Sequence, residues 1–486
     1  KAMTEVRIDL RKCHVEHRSR PYFEPSVEAL VDNDPAISHF SFGLPPIHLS
    51  PTGTFYPQMF RDLSLAAGDS LLRAACSFIA DGRAPAHYRS LGRSAFLSAA
   101  LKTDRQLDKI ARGFDFLLSI SPINTDQAMH EFLGADGGKP PRFQYRPLEV
   151  DPDIVKRDLY AIDLGGLEDP LLETLFTEKR RELDHQLTMI GARNTPEFRP
   201  ASMLQYGAVE PDLLAAAEAI LSASAGKRRP AGTMVGASEV AKAARQLIHD
   251  YAAVDERFAA TVEIRDDLAA GLMVSGGTLM ISSHTRMAKH RLDALLSHEV
   301  SVHLLTWFNG STQGLGLFRS GLARYEGVQE GLGVFAEWAV GGLTEARLRL
   351  LAGRVVAVDA MLRGADFCEG FDLLESHGFR PKTAFGIAAR VYRSGGFAKD
   401  AIYLRGFKAV IDAVAAGLDL DPFWLGKIAP EHLPAVDELL QRGLLQPPVF
   451  RPLFLDRPEV RQRILGLSSL ATKSNFSAIF DQESAQ

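Results

Sequence analysis

Apolar residues recur at helical spacing through most of this chain. The period is clearest over Leu171–Ile190, where the apolar positions are Leu171, Leu172, Leu175, Phe176, Leu183, Leu187 and Ile190. The same spacing predicts further helices over Met59–Asp81, Ser94–Ser119 with a break near Thr103, Pro211–Ala223 and Ser238–Tyr251. Strand-like runs are few, namely Ala260–Arg265 and Gly277–Ser282. The pattern predicts an α+β fold that is predominantly helical, with a helical N-terminal region.

One predicted helix is apolar on most of its surface and carries ionisable residues inside that apolar frame. Its apolar positions are Leu292, Leu295, Leu296, Val300, Val302, Leu304 and Leu305. His298, Glu299 and His303 lie among them in an HExxxH pattern. Buried ionisable groups need partners or a metal. The two histidines are therefore either core residues bonded to backbone carbonyls or ligands of an ion such as zinc, with Glu299 activating a water.

The spacing of these histidines predicts an irregular helix. The familiar HExxH motif puts its histidines on one helical face, but His298 and His303 are five residues apart. On a regular α-helix, five steps leave two side chains roughly 140° apart. A metal site here requires a wide turn, or π-bulge, between Ser297 and Leu304. Asn309-Gly310 resembles a C-cap and predicts the end of this helix.

A second apolar helix, predicted over Glu326–Val340, offers three acids on one face. Glu330 lies one turn from Glu326 and two turns from Glu337, so spacing alone does not choose the third ligand. Acids that are not ligands can accept hydrogen bonds from the ligand imidazoles. Gly331 and Gly333 are poor helix residues, and their presence predicts a close approach to the HExxxH helix.

Five motifs in order carry a resemblance to a known family. They are GGTLMISS (Gly276–Ser283), SHEVSVHLLTWFNG (Ser297–Gly310), YEGVQEGLGVFAEW (Tyr325–Trp338), RVYRSGGFAKDAIYLRG (Arg390–Gly406) and GKIAPEHLP (Gly426–Pro434). Together they resemble the QEGLA-motif proteins, which include the microtubule-associated tyrosine carboxypeptidases. The resemblance implies a zincin-like metallopeptidase with one zinc ion per chain, ligands His298, His303 and Glu330, and general base Glu299. Gly333 departs from the alanine of the QEGLA motif, and Ser297 stands where many members have a second histidine.

A carboxypeptidase must also bind a terminal carboxylate and stabilise an oxyanion. Arginine suits the carboxylate, because it donates two charge-assisted hydrogen bonds at once. In the basic–aromatic segment Arg390–Gly406 we therefore expect Arg390 or Arg393 on the carboxylate with Lys399 assisting, and Tyr392 or Tyr403 at the oxyanion. The alternative is a surface basic turn that makes helix-end contacts.

The strand before the HExxxH helix is a candidate for substrate binding by strand addition. Gly277–Ser282 would form a small sheet edge beside the metal helix, with Gly277 and Thr278 touching the substrate backbone. The alternative is an ordinary interior strand.

Composition and charge bear on the expected partners and location of the protein. The chain has 486 residues, a net charge of −5 and a pI near 6.3, which gives no sign of nucleic-acid binding. No apolar run reaches the ~20 residues that span a bilayer, so we expect no membrane partner. Three sparse cysteines, Cys13, Cys76 and Cys368, favour a reducing compartment and a cytoplasmic location. No signal indicates an oligomeric state.

We expect four regions. These are a proline-rich arm (1–55), a helical N-terminal region (56–230) ending in the linker candidate Ser224–Pro230, a metallopeptidase domain (231–452) and a C-terminal extension (453–486) with a polar tail from Thr472.

The expected function is zinc-dependent removal of a C-terminal residue, aromatic in the tubulin-acting relatives, from a protein or peptide. Two alternatives stay open. One is a zinc endopeptidase that cleaves internal bonds. The other is a non-catalytic regulatory or binding protein that keeps the metallopeptidase fold. Three N/O ligands suit zinc best, although iron, manganese and cobalt also accept them.

Overall fold

The computed structural model describes residues 7–8, 11–12, 14, 16, 43–79, 85–135, 138–223, 232–268 and 271–470. The chain divides into two compact units, a smaller one of Lys1–Arg93 with Glu168–Leu171 and a larger one of Ser94–Leu167 with Leu172–Gln486. The four regions expected from the sequence stay a prediction. The linker candidate at 224–230 and the polar tail at 472–486 lie outside the described residues.

The smaller unit contains one long helix and a minimal pair of strands. Its elements are β1 (Arg7–Ile8), β2 (Arg11–Lys12), α1 (Pro57–Phe78) and a 3₁₀ turn at Tyr88–Ser90. Strands β1 and β2 pair antiparallel. Helix α1 begins at Pro57, where the missing N–H and fixed φ of proline suit a first helical position. The helix predicted over Met59–Asp81 is present with shifted ends.

The first part of the larger unit is helical. Its helices are α2 (Ser98–Ala111), α3 (Phe116–Ser119), α4 (Thr125–Gly134), α5 (Pro152–Tyr160), α6 (Pro170–Gly191), α7 (Phe198–Tyr206), α8 (Pro211–Ala223) and α9 (Ala237–Val254). The predicted break near Thr103 is wrong. Thr103 is buried within α2, and a new helix starts after Asp115, whose carboxylate accepts a hydrogen bond from Leu118 N at 3.0 Å.

The strands of the larger unit form two small sheets. Their bounds are β3 (Met234–Gly236), β4 (Thr261–Arg265), β5 (Leu272–Ser275), β6 (Thr278–Ser282) and β7 (Arg286–Ala288). Strands β3 and β7 pair with each other, and the second sheet has the order β4-β6-β5.

The expectation that Gly277–Ser282 is a sheet edge is wrong. Strand β6 pairs parallel with β4 on one side and antiparallel with β5 on the other. Its backbone donors and acceptors are therefore used on both sides, and it cannot take a substrate strand. The Thr278 hydroxyl lies 2.7 Å from that of Thr261, and Gly277 lies where a side chain would press on the Trp307 ring. Thr278 is thus the first residue of an interior strand, and Gly277 directly precedes it.

The remaining helices include the HExxxH segment and the helices that follow it in the chain. They are α10 (Leu292–His298), a π-helical turn (Glu299–Leu304), α11 (Leu305–Thr312), α12 (Leu317–Ser320), α13 (Glu326–Ala339), α14 (Glu345–Leu362), α15 (Phe367–Ser376), α16 (Pro381–Tyr392), α17 (Ile402–Ala415), α18 (Asp421–Trp424), α19 (Leu433–Gln441) and α20 (Pro458–Leu470). Single 3₁₀ turns lie at Lys289–Arg291, Arg393–Gly395, Ala398–Ala401, Pro430–His432 and Leu453–Asp456. The α+β class with helices predominant is confirmed. No helix in the described ranges has the length and hydrophobicity to cross a bilayer.

The predicted end of the HExxxH helix at Asn309-Gly310 is wrong. Helix α11 runs on to Thr312. The Asn309 amide donates to the carbonyls of Trp424 and Phe450 at 2.6 and 2.8 Å, and its oxygen accepts from Phe450 N at 2.9 Å. Gly310 lies against the backbone of Phe318, with no room for a Cβ. The pair therefore joins α11 to distant segments instead of capping it.

Helices α13 and α17 cross where two glycines meet. A Cβ on Gly331 would overlap the backbone of Gly406, and a Cβ on Gly406 would overlap the carbonyl of Gly327. Backbone cannot yield as a flexible side chain can, so only glycine permits this approach. Gly331 thus approaches α17, whereas the sequence predicted an approach to the HExxxH helix.

We predict that Gly331→Ala destabilises the protein by roughly 1–3 kcal/mol, because the added methyl group overpacks the α13–α17 crossing. Urea unfolding followed by far-UV circular dichroism measures the change. Gly327→Ala is the matched control on the same helix, since nothing lies within 4 Å of the position that its new methyl group would take and helix propensity favours alanine by up to about 1 kcal/mol. Equal stability of the two variants would contradict the crossing.

Candidate metal centre

The helix that carries HExxxH widens where the motif requires it. Residues Glu299–Leu304 form a π-helical turn between α10 and α11. A π-helix bonds residue i to i+5, which returns side chains five apart toward the same side. The His298 and His303 rings accordingly lie with centroids 4.9 Å apart. The irregular turn predicted between Ser297 and Leu304 is confirmed.

His298, His303 and Glu330 bring one ligand atom each to a common point. The Glu330 Oε2 atom lies 3.6 Å from His298 Nε2 and 3.7 Å from His303 Nε2. The three ligand atoms all lie within 4.8 Å of one another. Two ligands of one tetrahedral zinc ion are about 3.3 Å apart at ordinary bond lengths, so a small inward movement would complete such a site. The triad can hold a metal ion, and its two imidazoles and one carboxylate match the donors that zinc takes in hydrolases.

A buried carboxylate orients the first ligand. Glu337 Oε1 accepts a hydrogen bond from His298 Nδ1 at 3.0 Å, which leaves the Nε2 lone pair directed at the common point. Glu337 also accepts from Arg291 at 2.8 Å and from Arg347 at 3.0 and 3.2 Å. Burial raises the pKa of Glu337, but Arg347, His298 and Arg291 outweigh burial and hold that pKa well below its usual range. Glu337 is therefore an ionised acceptor.

The acids of α13 have different partners. The expectation that Glu337 accepts from a ligand imidazole is confirmed, whereas Glu326 forms an ion pair with Lys399. Lys399 Nζ also lies 3.7 Å from Glu330 Oε1, the oxygen turned away from the imidazoles. Lys399 therefore lies behind the ligand carboxylate and has two acid neighbours of its own.

Close packing holds α13 against the HExxxH helix. A Cβ on Gly333 would lie 2.5 Å from the His298 ring, so the predicted close approach is confirmed at this glycine. Gln329, next to the ligand Glu330, accepts a hydrogen bond from Thr306 at 2.9 Å. Both contacts fix the distance between the two ligand-bearing helices.

Glu299 differs from the triad in its surroundings. Its side chain is partly exposed, and no described residue forms a hydrogen bond with its carboxylate. Burial raises the pKa of Glu299, against the opposing influence of His298 and His303. A carboxylate with a raised pKa beside a metal triad is suited to taking and returning a proton.

Three residues of the basic–aromatic segment interact electrostatically with the ligand Glu330. Arg390 donates hydrogen bonds to both carboxylate oxygens of Asp400, at 2.6 and 2.9 Å, and the Arg390 side chain is 39% exposed to solvent. Burial raises the pKa of Tyr403 to about 12, and the charge of Glu330 adds to that rise. The Arg354 guanidinium lies over the Tyr403 ring at 5.2 Å. The charge of Glu330 also raises the pKa of Arg390, and Lys399 lies 3.7 Å from Glu330 Oε1, so all three side chains interact with this ligand.

Among the described residues, no hydrogen bond or ion pair joins Tyr392 or Arg393 to the triad. The Tyr392 hydroxyl is buried beside Gly370, without a hydrogen-bond partner among the described residues. Arg393 is buried, donates to Ser121 Oγ at 2.8 Å and lies over the Phe397 ring at 4.7 Å.

Several residues of the site were missed by the sequence analysis. Arg291 and Arg347 hold Glu337, and Asp400 holds Arg390. They lie in three separate segments, none with a spacing that indicates a site. The acid-to-arginine pairing appears only when the chain is folded.

Comparison with known proteins finds one family that spans the metal centre and the helices around it. A family model described as microtubule-associated tyrosine carboxypeptidase matches residues 130–473. No curated protein matches the chain.

We predict that Glu337→Gln weakens zinc binding roughly 10–100-fold, because an uncharged amide is a poorer acceptor for the His298 N–H and leaves two guanidinium groups unbalanced. Competition between the purified protein and a chromophoric chelator measures the affinity. Glu345→Gln, an exposed position in the first turn of α14, is the control and should leave it unchanged. An unaltered affinity in Glu337→Gln would remove Glu337 from the metal centre.

Proposed function

Because the chain belongs to the microtubule-associated tyrosine carboxypeptidase family, we propose that it is a zinc-dependent carboxypeptidase with a zincin-like core. It hydrolyses the last peptide bond of a protein or peptide and releases the C-terminal residue. The observation that carries this proposal is the convergence of His298 Nε2, His303 Nε2 and Glu330 Oε2 on one point. Tyrosine is the first residue to test at the substrate C-terminus, given the family's description.

His298, His303 and Glu330 would hold the metal. Two nitrogens and one oxygen favour zinc over magnesium or calcium, which prefer oxygen ligands alone. Bound zinc would polarise the scissile carbonyl and lower the pKa of a water molecule. Lys399 lies beside Glu330 Oε1, which leaves Glu330 Oε2 as the oxygen available to a metal ion.

Glu299 transfers the protons in this proposal. It takes a proton from the attacking water as the new carbon–oxygen bond forms, and it delivers that proton to the amide nitrogen as the carbon–nitrogen bond breaks. The products are a shortened chain and a free amino acid. Its free carboxylate and its raised pKa support this role.

Tyr403 and Arg390 are proposed for the substrate side. Tyr403 is partly exposed, and burial together with Glu330 keeps its hydroxyl protonated and able to donate to a developing oxyanion. Arg390, half-exposed and held by Asp400, would face the end of the substrate. Arg393 and Tyr392 are proposed as packing residues, because their side chains contact Ser121 and Phe397, and Gly370, respectively.

A protein or peptide C-terminus is the proposed partner, and the cytoplasm is the proposed location. The free thiols of Cys76 and Cys368 support a reducing compartment.

We predict that Glu299→Gln lowers kcat by at least 10²-fold while zinc remains bound, since proton transfer is lost and the ligands are untouched. Mass spectrometry of a tyrosine-terminated peptide measures release of the last residue, and elemental analysis measures zinc. His303→Ala should lose both zinc and activity.

The control is Glu345→Gln, which should retain full activity. Cleavage of internal bonds, or equal cleavage of a C-terminally amidated peptide, would favour an endopeptidase. Full activity in Glu299→Gln would show that the measured hydrolysis does not arise at this centre.

A further inference from the structure

Most cationic side chains near the triad are already neutralised by an acid. The pairs are Lys399 with Glu326, Arg390 and Arg354 with Asp400, Arg291 and Arg347 with Glu337, and Lys179 with Glu182. Arg393 has no such pair, but it is buried on Phe397 and bonded to Ser121. A substrate carboxylate would have to compete with a protein carboxylate for any of the paired groups, or displace a buried contact in the case of Arg393.

Lys427 is a second cation that forms no ion pair among the described residues, and it is less buried than Arg393. No acid in the described part of the chain forms an ion pair or hydrogen bond with its ammonium group, which lies over the Tyr325 ring at 5.5 Å. Lys427 belongs to the GKIAPEHLP motif, and Tyr325 begins the YEGVQEG motif. Neither residue has a part in the proposed chemistry. An ammonium group that is partly buried without an acid carries a desolvation cost that an incoming anion would offset.

The backbone holds Lys427 in place. Its N–H donates to the Phe318 carbonyl at 2.8 Å, and its own carbonyl accepts from Leu322 N at 2.9 Å. Gly426 allows this docking, because a Cβ there would lie 2.7 Å from the same Phe318 carbonyl. Two backbone hydrogen bonds and one close approach therefore fix Lys427 relative to α12 and the segment that follows it.

Charges around Lys427 connect it to the metal centre. Burial lowers its pKa to about 8, and the like charge of Lys179 adds to that lowering. Glu326 and the ligand Glu330 act in the opposite direction on that pKa. Lys427 lies over the ring of Tyr325, which directly precedes Glu326 at the start of the helix that carries Glu330. One extended residue spans only about 3.3–3.6 Å, so a terminal carboxylate must be received close to the metal.

We infer that the ammonium group of Lys427, supported by the face of Tyr325, binds the terminal carboxylate of the substrate. The inference rests on the proposed carboxypeptidase function and names the residue that makes the enzyme act at chain ends. It assigns to Lys427 the direct contact that the sequence analysis assigned to Arg390 or Arg393. An endopeptidase would have no use for a cation without a partner at this position.

Binding measured without turnover tests the assignment. The parent protein is the zinc-loaded Glu299→Gln form, and the probes are an N-acetylated alanine peptide ending in tyrosine with a free carboxylate and the same peptide with a C-terminal amide. We expect the parent to prefer the acid. Adding Lys427→Met should weaken binding of the acid at least 30-fold and of the amide less than threefold, and Lys427→Arg should restore part of the preference.

Lys408→Met is the matched control, since Lys408 lies on α17 and is paired with Asp412 at the surface. It should change neither affinity. Zinc content and thermal unfolding of each variant verify the fold, and Lys427→Gln replaces Lys427→Met if the latter does not fold. Equal loss for both peptides, no loss, or a parent without preference for the acid would overturn the assignment.

Turnover of the protein with Glu299 intact separates this inference from the function on which it rests. Release of tyrosine that keeps its preference for the acid after Lys427→Met would refute the role of Lys427 and leave the proposed function standing. Absence of hydrolysis together with Lys427-dependent binding of the acid would refute the function and leave Lys427 as a carboxylate receptor.

Discussion

Two imidazoles five residues apart can face one ion only if the helix between them is wound more widely than an α-helix. The turn at Glu299–Leu304 provides that winding. Its apolar residues Val300, Val302 and Leu304 are fully buried, and strands β5 and β6 and helix α13 pack on it. Burial therefore stabilises a backbone conformation that short helices rarely keep in isolation. The convergence of the triad depends on this turn.

The second constraint is electrostatic. Helix α13 carries three acids on one face, with Glu337 fully buried and the other two largely buried. Each is balanced differently: Glu326 by Lys399, Glu330 by the two imidazoles, and Glu337 by two arginines with His298. A buried carboxylate is tolerated only when its lone pairs and charge are satisfied. The sequence could name the acids as a set, but their different roles depend on cations from other segments.

Local geometry was predictable from the sequence, and contacts between distant segments were not. The wide turn followed from the spacing of His298 and His303 alone, and α13 from apolar periodicity. The interior position of β6 depends on β5 returning beside it, and the role of Gly331 depends on Gly406 in another helix. Asn309-Gly310 had the residues of a cap, but tertiary hydrogen bonds to Trp424 and Phe450 used the amide instead.

The clustering of basic residues in the sequence did not indicate which cationic side chain is free to bind an anionic ligand. Arg390 and Arg393 are neighbours in one turn, yet one is bound to Asp400 and the other to Ser121. An anionic ligand interacts most readily with cationic side chains that are not already paired with an acid of the protein. Which cations remain unpaired depends on the folded site, because a buried carboxylate compensates the desolvation cost of the cation that it holds. Lys427, isolated in sequence from the basic segment, lies over the Tyr325 ring and forms no ion pair with an acid among the described residues.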